Sequence, residues 1–151
     1  MKFTPSMFAL TLTALSLTLA SLPAFAHLEL GTYQGVVLQG SSHSGMPCSF
    51  EVKGIAFESG VKNPLNERVM IEHENRSLTL QHPPVVNLNS LSASFEHDLL
   101  QAVTGTSTGA EAFVLKMNSE SHKPDSFVFI QDDWKNEQRT SQTCGNLEHG
   151  N

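Results

Sequence analysis

From Gly31 to Cys144 the chain is written in a period of two, with apolar side chains at every second position in short runs bounded by glycine, proline, asparagine or aspartate. A strand sends successive side chains to opposite faces, so each run presents one face for burial; a helix would need apolar residues three and four apart. "GTYQGVVLQG" opens the series. In "CSFEVKGIAF", Cys48, Phe50 and Val52 share one parity while Ile55 and Phe57 take the other, and Gly54 stands at the switch. A bulge there keeps both sets pointing inward. "ERVMIEH" places Val69 and Ile71 on one face, "SLTLQH" does the same with Leu78 and Leu80, and the short "ENR" between them reads as a hairpin connection.

Pro83 and Pro84 stop that second strand, because proline cannot donate to a ladder. "LSASFEH" alternates through Leu91, Ala93 and Phe95 and is expected to pair with "LLQAVTG", Leu99 to Gly105. "EAFVLKM" groups Phe113, Leu115 and Met117. "SFVFIQD" is apolar on both parities, as in a strand covered on both sides, and a polar strand or tail "NEQRTSQTC" carries Cys144. About eight short strands with Gly- and Pro-containing turns and no helical stripe predict an all-β fold. The expected form is a small antiparallel up-and-down barrel, with a β-sandwich as the alternative. Phe50, Phe57, Phe95, Phe113, Phe127 and Phe129 fall on inward parities, and Tyr33 and Trp134, with polar tips, suit a barrel mouth.

The opener Gly31-Thr32-Tyr33-Gln34-Gly35 resembles the first strand of lipocalin-type barrels, where Gly-x-Trp begins the sheet. Tyr33 stands where that motif has tryptophan, and the likeness covers five positions. It implies a barrel shape.

Cys48 and Cys144 are the only cysteines. An even count in an exported chain predicts a disulfide, which would tie the second strand to the C-terminal end. Export is the expectation because Met1 to Ala26 has the order of a secretory signal peptide: Lys2, the apolar run "MFALTLTALSLTLA", then "SLPAFA" with small residues at Ala24 and Ala26. That run is too short and too rich in threonine and serine to span a membrane. Cleavage after Ala26 leaves residues 27–151 as one β-barrel domain, secreted or periplasmic. The full chain has 9 basic and 15 acidic residues, a net charge of −6; losing Lys2 makes it −7. Such a surface repels phosphate backbones, so nucleic acid is excluded as a partner, and a monomer is expected.

Chemistry-bearing motifs are sparse. After cleavage, the amino group and imidazole of His27 would have the makings of a copper site, given a second histidine from elsewhere. His73 lies between Glu72 and Glu74, yet in a strand it faces away from both. "FEHDLL" reads as a solvated turn, "QDDW" lacks the further oxygens of a calcium loop, and Ser42-His43-Ser44 has no nucleophile elbow around it. No catalytic residue is assigned. The leading expectation is an exported, non-enzymatic barrel that binds a small apolar molecule or a protein partner, its ligand-binding residues unknown. One alternative is a copper-binding protein or secreted metalloenzyme built on His27; another is an envelope structural or inhibitor protein.

Overall fold

The computed structural model describes residues 28–39, 44–60, 66–87, 92–95 and 98–150. Among the described residues, ten strands run in chain order as β1 (Gly31–Gln39), β2 (Pro47–Phe57), β3 (Glu67–His73), β4 (Arg76–Leu80), β5 (Pro84–Asn87), β6 (Ser92–Phe95), β7 (Leu99–Gly105), β8 (Gly109–Met117), β9 (Pro124–Asp133) and β10 (Gln138–His149). Eight of them form one antiparallel sheet in the order β4-β3-β2-β1-β10-β9-β8-β7, which curls into a nearly closed barrel; β5 and β6 make a separate hairpin. Among the described residues there is no α-helix; a 3-10 turn covers Glu58–Gly60, and no helix is long and apolar enough to cross a membrane.

Strand boundaries follow the turn chemistry. Glu74 and Asn75 join β3 to β4 with φ of 46° and 64°, the left-handed pair that a two-residue hairpin needs to match strand twist. Between β8 and β9, Asn118 Oδ1 accepts the amides of Glu120 and Ser121 at 3.0 and 2.9 Å. Between β9 and β10, Asp133 Oδ1 accepts those of Lys135 and Asn136 at 3.0 and 3.2 Å. The β2–β3 register shifts between Val52 and Gly54, the position where the parity of β2 switches.

The first and last barrel strands lie side by side, β1 between β2 and β10. The expected disulfide joins Cys48 on β2 to Cys144 on β10, passing over β1, with Cα atoms 6.1 Å apart. Two flat strand spacings would separate them by roughly 9.5 Å, so the sheet is creased at β1. Register shifts in β1–β10 at Gln34/Val36 and Val37/Gln39 accommodate the crease. Gly35 sits beneath the bridge: a Cβ there would meet the Gly145 carbonyl, a Leu147 methyl at 3.1 Å and Cys144 Sγ at 3.2 Å.

Opposite the crease the barrel closes at a seam between β4 and β7. One backbone pair spans it, Gln81 N to Gln101 O at 2.9 Å and Gln101 N to Gln81 O at 2.8 Å. Beside it, His82 Nδ1 donates to the Leu99 carbonyl at 2.9 Å. The remainder of the seam is a cleft of about 450 Å³ between Ser77 and Thr79 on one side and Val103 and Thr104 on the other.

The interior is filled. Phe50, Phe113, Phe127, Phe129, Leu100 and Leu115 are buried. Phe113 stacks on Phe127 at 4.8 Å between ring centres, and Phe50 meets both edge-on at 5.7 Å, geometry that favours aromatic pairs. Phe57 is half-buried, and the side chain of Phe95 lies outside the described residues. Two expectations need correction. Ser92–Phe95 pairs with Pro84–Asn87, not with Leu99–Gly105, which pairs with β8; the proline pair starts a new strand as well as ending the old one. "SFVFIQD" is buried on one parity alone, through Phe127 and Phe129, while Val128 and Ile130 remain half-exposed on the outer face.

Candidate functional site: a polar barrel mouth

One end of the barrel carries the turns β3–β4, β7–β8 and β9–β10 and opens into a cavity of about 540 Å³. Inward positions there are polar because each strand's apolar series ends before its turn. Glu111 continues the parity of Phe113, Gln131 that of Phe129, and Thr140 that of Cys144. These residues line the cavity with Thr104, Thr106 and Gln138.

Glu111 is the organising group. Its Oε1 accepts Arg76 Nε at 3.1 Å and Gln131 Nε2 at 2.9 Å. The Arg76 guanidinium also lies 5.4 Å from the centre of the Phe129 ring, a cation–π contact that roofs the aromatic interior. On the rim, Asp132 takes a two-pronged contact from Arg139 at 2.6 and 2.8 Å. This hydrogen bonding, with the adjacent positive charge, holds the Asp132 carboxyl below the usual carboxylate range. Asp133 is lowered too, first by the Asn136 side-chain amide at 2.6 Å. The sole tryptophan, Trp134, stands 57% exposed on the same rim, its amide donating to the Thr108 carbonyl at 2.9 Å.

Beneath the roof, His73 is buried among Phe113, Phe127 and Phe129, with ring centres 5.3, 5.2 and 4.9 Å away. As its strand parity requires, it turns inward, away from Glu72 and Glu74. Its Nδ1 donates to the Ser49 carbonyl at 3.0 Å, and Nε2 has no hydrogen-bond partner. A second buried polar pair lies at the far end, where His82 Nε2 meets Glu67 Oε2 at 3.1 Å. Both side chains are almost completely enclosed. They link β3, β4 and β7 and are remote from the mouth in the strand order.

The far end also holds Tyr33, which is buried and borders a second cavity of about 390 Å³ together with Glu29, Leu147 and His149. It stacks on Phe50 at 5.1 Å, accepts the Glu29 amide at 2.8 Å, and has its hydroxyl titration raised chiefly by burial. His149 returns to this end, with Nε2 donating to the Leu30 carbonyl at 3.1 Å and Nδ1 lying 3.6 Å from Glu29 Oε2. His27, His43 and His97 lie outside the described residues. Among the described residues, no three histidine, cysteine or carboxylate groups converge as metal ligands. Of the expected site residues, Cys48 and Cys144 are joined. Glu111, Gln131 and Arg76 were missed by motif reasoning, although their place on the inward parities was readable from the strands.

Fold and site together define an antiparallel barrel with a packed aromatic interior and a polar, open mouth. No family model, curated protein or solved structure matches the chain.

Proposed function

We propose that the chain is an exported, non-enzymatic binding protein that meets its ligand at the mouth lined by Glu111, Gln131 and Thr140. The carrying observation is the open cavity of about 540 Å³ set over an interior already occupied by phenyl rings. Binding sites are concave surfaces with a few convergent polar groups. Of the occupants compatible with the sequence, a polar ligand or protein partner suits this lining better than an apolar molecule held inside. The carboxylates favour recognition over proton transfer, since Glu111, Asp132 and Asp133 are each fixed by structural hydrogen bonds. The disulfide is compatible with an extracytoplasmic location.

Amide-resolved NMR titration with a panel of amino acids, amines, oligosaccharides and short peptides tests this reading. A polar class should perturb amides of residues 104–111 and 131–140, and a fluorescent hydrophobe should not enter the folded barrel. Stoichiometric dye uptake, or perturbations confined to other faces, would overturn it. A second reading, copper held at a mature His27, is favoured by one observation: β10 brings His149 back beside Glu29. Equal copper affinity for the cleaved protein and for a form extended by one residue before His27 would remove it.

A further inference from the structure

We infer that the mouth selects a ligand bearing a primary ammonium or guanidinium group, with Glu111 as the anchor; this rests on the mouth being the ligand-contact face. The two oxygens of Glu111 are unequal. Oε1 is saturated by Arg76 and Gln131, whereas Oε2 takes no hydrogen bond from the described residues, and the side chain lines the cavity at one-third exposure. A carboxylate oxygen only accepts, so its complement is a donor. A charged donor forms the stronger bond. Arg76 and Gln131 fix the carboxylate before any ligand arrives, which spares the ligand the cost of ordering it.

Surrounding groups favour the same class. The ionisable cavity-lining residues are Glu111, Asp132, Asp133 and Lys135, with Arg76 on Glu111 and Arg139 on Asp132, so the draw for a cation comes from the free oxygen of Glu111 in a chain of net charge −6 and not from a local excess of acid. Thr104, Thr140 and Gln138 surround Glu111 with neutral oxygens that can accept the remaining N–H groups of an ammonium. Arg76 illustrates the chemistry within the molecule: a guanidinium already sits on Oε1 from below, and Oε2 offers the equivalent bond from the cavity side. On the rim, Trp134 presents an exposed aromatic surface near an incoming cation. The cation has two possible sources, a free amine or a lysine or arginine side chain of a partner.

The test uses the folded chain, with Trp134 fluorescence and amide shifts as readouts. The probes are agmatine, 1,5-diaminopentane and the peptide acetyl-Gly-Lys-Gly-amide, against the neutral controls 1,5-pentanediol and maltotriose. The amines and the peptide should shift residues 104–111 and 131–140 and the diol should not; raised salt should weaken binding. Tighter binding of the peptide than of the free amines points to a protein partner, and the reverse to a small molecule. Glu111→Gln should weaken the amines at least tenfold, while Glu51→Gln on the outer wall leaves them unchanged. If Glu111→Gln fails to fold, the comparison of diamine with diol still decides. Maltotriose or the diol perturbing the mouth while the amines do not would sink the ammonium inference and keep the mouth. Perturbation of the mouth by no probe would sink both. Equal weakening by Glu51→Gln would reduce the effect to diffuse charge and overturn the inference.

Discussion

The buried pair Glu67–His82 offers the sharpest test of how the barrel is held shut. His82 Nδ1 donates to the Leu99 carbonyl across the seam, and Nε2 faces Glu67 Oε2 at 3.1 Å. The two side chains are only 1% and 2% exposed, so water cannot replace either partner. Glu67→Leu leaves one imidazole nitrogen without that partner in the interior, and breaking such a pair costs about 3–5 kcal/mol. His82→Ala should cost at least as much, because it abandons both the Glu67 carboxylate and the Leu99 carbonyl and opens a void. Glu67→Gln keeps a hydrogen-bonding partner and should cost about 1 kcal/mol. The double replacement Glu67→Met with His82→Leu removes both polar groups and should fall near neutral or be stabilising by about 1–4 kcal/mol. Against a total stability of about 5–15 kcal/mol these differences are large. In urea, a loss of 4 kcal/mol moves the midpoint by about 2 M at a typical slope. Equilibrium unfolding of the four variants measures the gradient. Glu67→Leu or His82→Ala costing under about 1 kcal/mol, or a double costing as much as both of them together, would refute the argument.

Three further outcomes follow from the geometry. Replacing Cys48 and Cys144 by alanine frees a loop of 96 positions, which in the chain-entropy model costs about 4–5 kcal/mol, readable as a lower denaturation midpoint; an unchanged midpoint would contradict it. Asp132 should titrate below the ordinary carboxylate value while Arg139 faces it, its contribution present above the ordinary range and lost as pH falls through the depressed value. Arg139→Gln should return that titration, followed by carboxyl NMR, to normal; no change would show the pair to be immaterial in solution. Along the seam, the amides of Thr79 and Val103 should exchange with deuterium faster than those of Gln81 and Gln101, which bond across it; equal protection would mean that the seam is laddered throughout.

How far the sequence anticipates this molecule depends on the range of the interaction. The two-residue period placed Val69, Ile71, Phe113 and Phe127 inward, and Gly54 marked a real shift in pairing, because parity is a local property. The cysteine count anticipated the bridge. Strand neighbours were less accessible: nothing local places β1 between β2 and β10, or pairs Ser92–Phe95 with Pro84–Asn87. The buried polar groups show where the reading stopped short. Glu67 shares the inward parity of Val69 and Ile71, and His82 that of Leu80, yet polar residues are expected outside and so were passed over; His73, on the same inward parity, was weighed only against Glu72 and Glu74. Glu111 and Gln131 likewise follow Phe113 and Phe129 inward, and only the closed sheet brings them within 2.9 Å.

The sulfur bridge over the first strand ties the fate of three distant positions together. Gly35 is small because Cys144 and the Gly145 carbonyl occupy the space a side chain would take. Related chains should therefore inherit glycine and both cysteines as one unit. A lineage that dropped the thiols would relax the crease and release position 35 to drift, whereas one that first enlarged position 35 would lose the bridge with it.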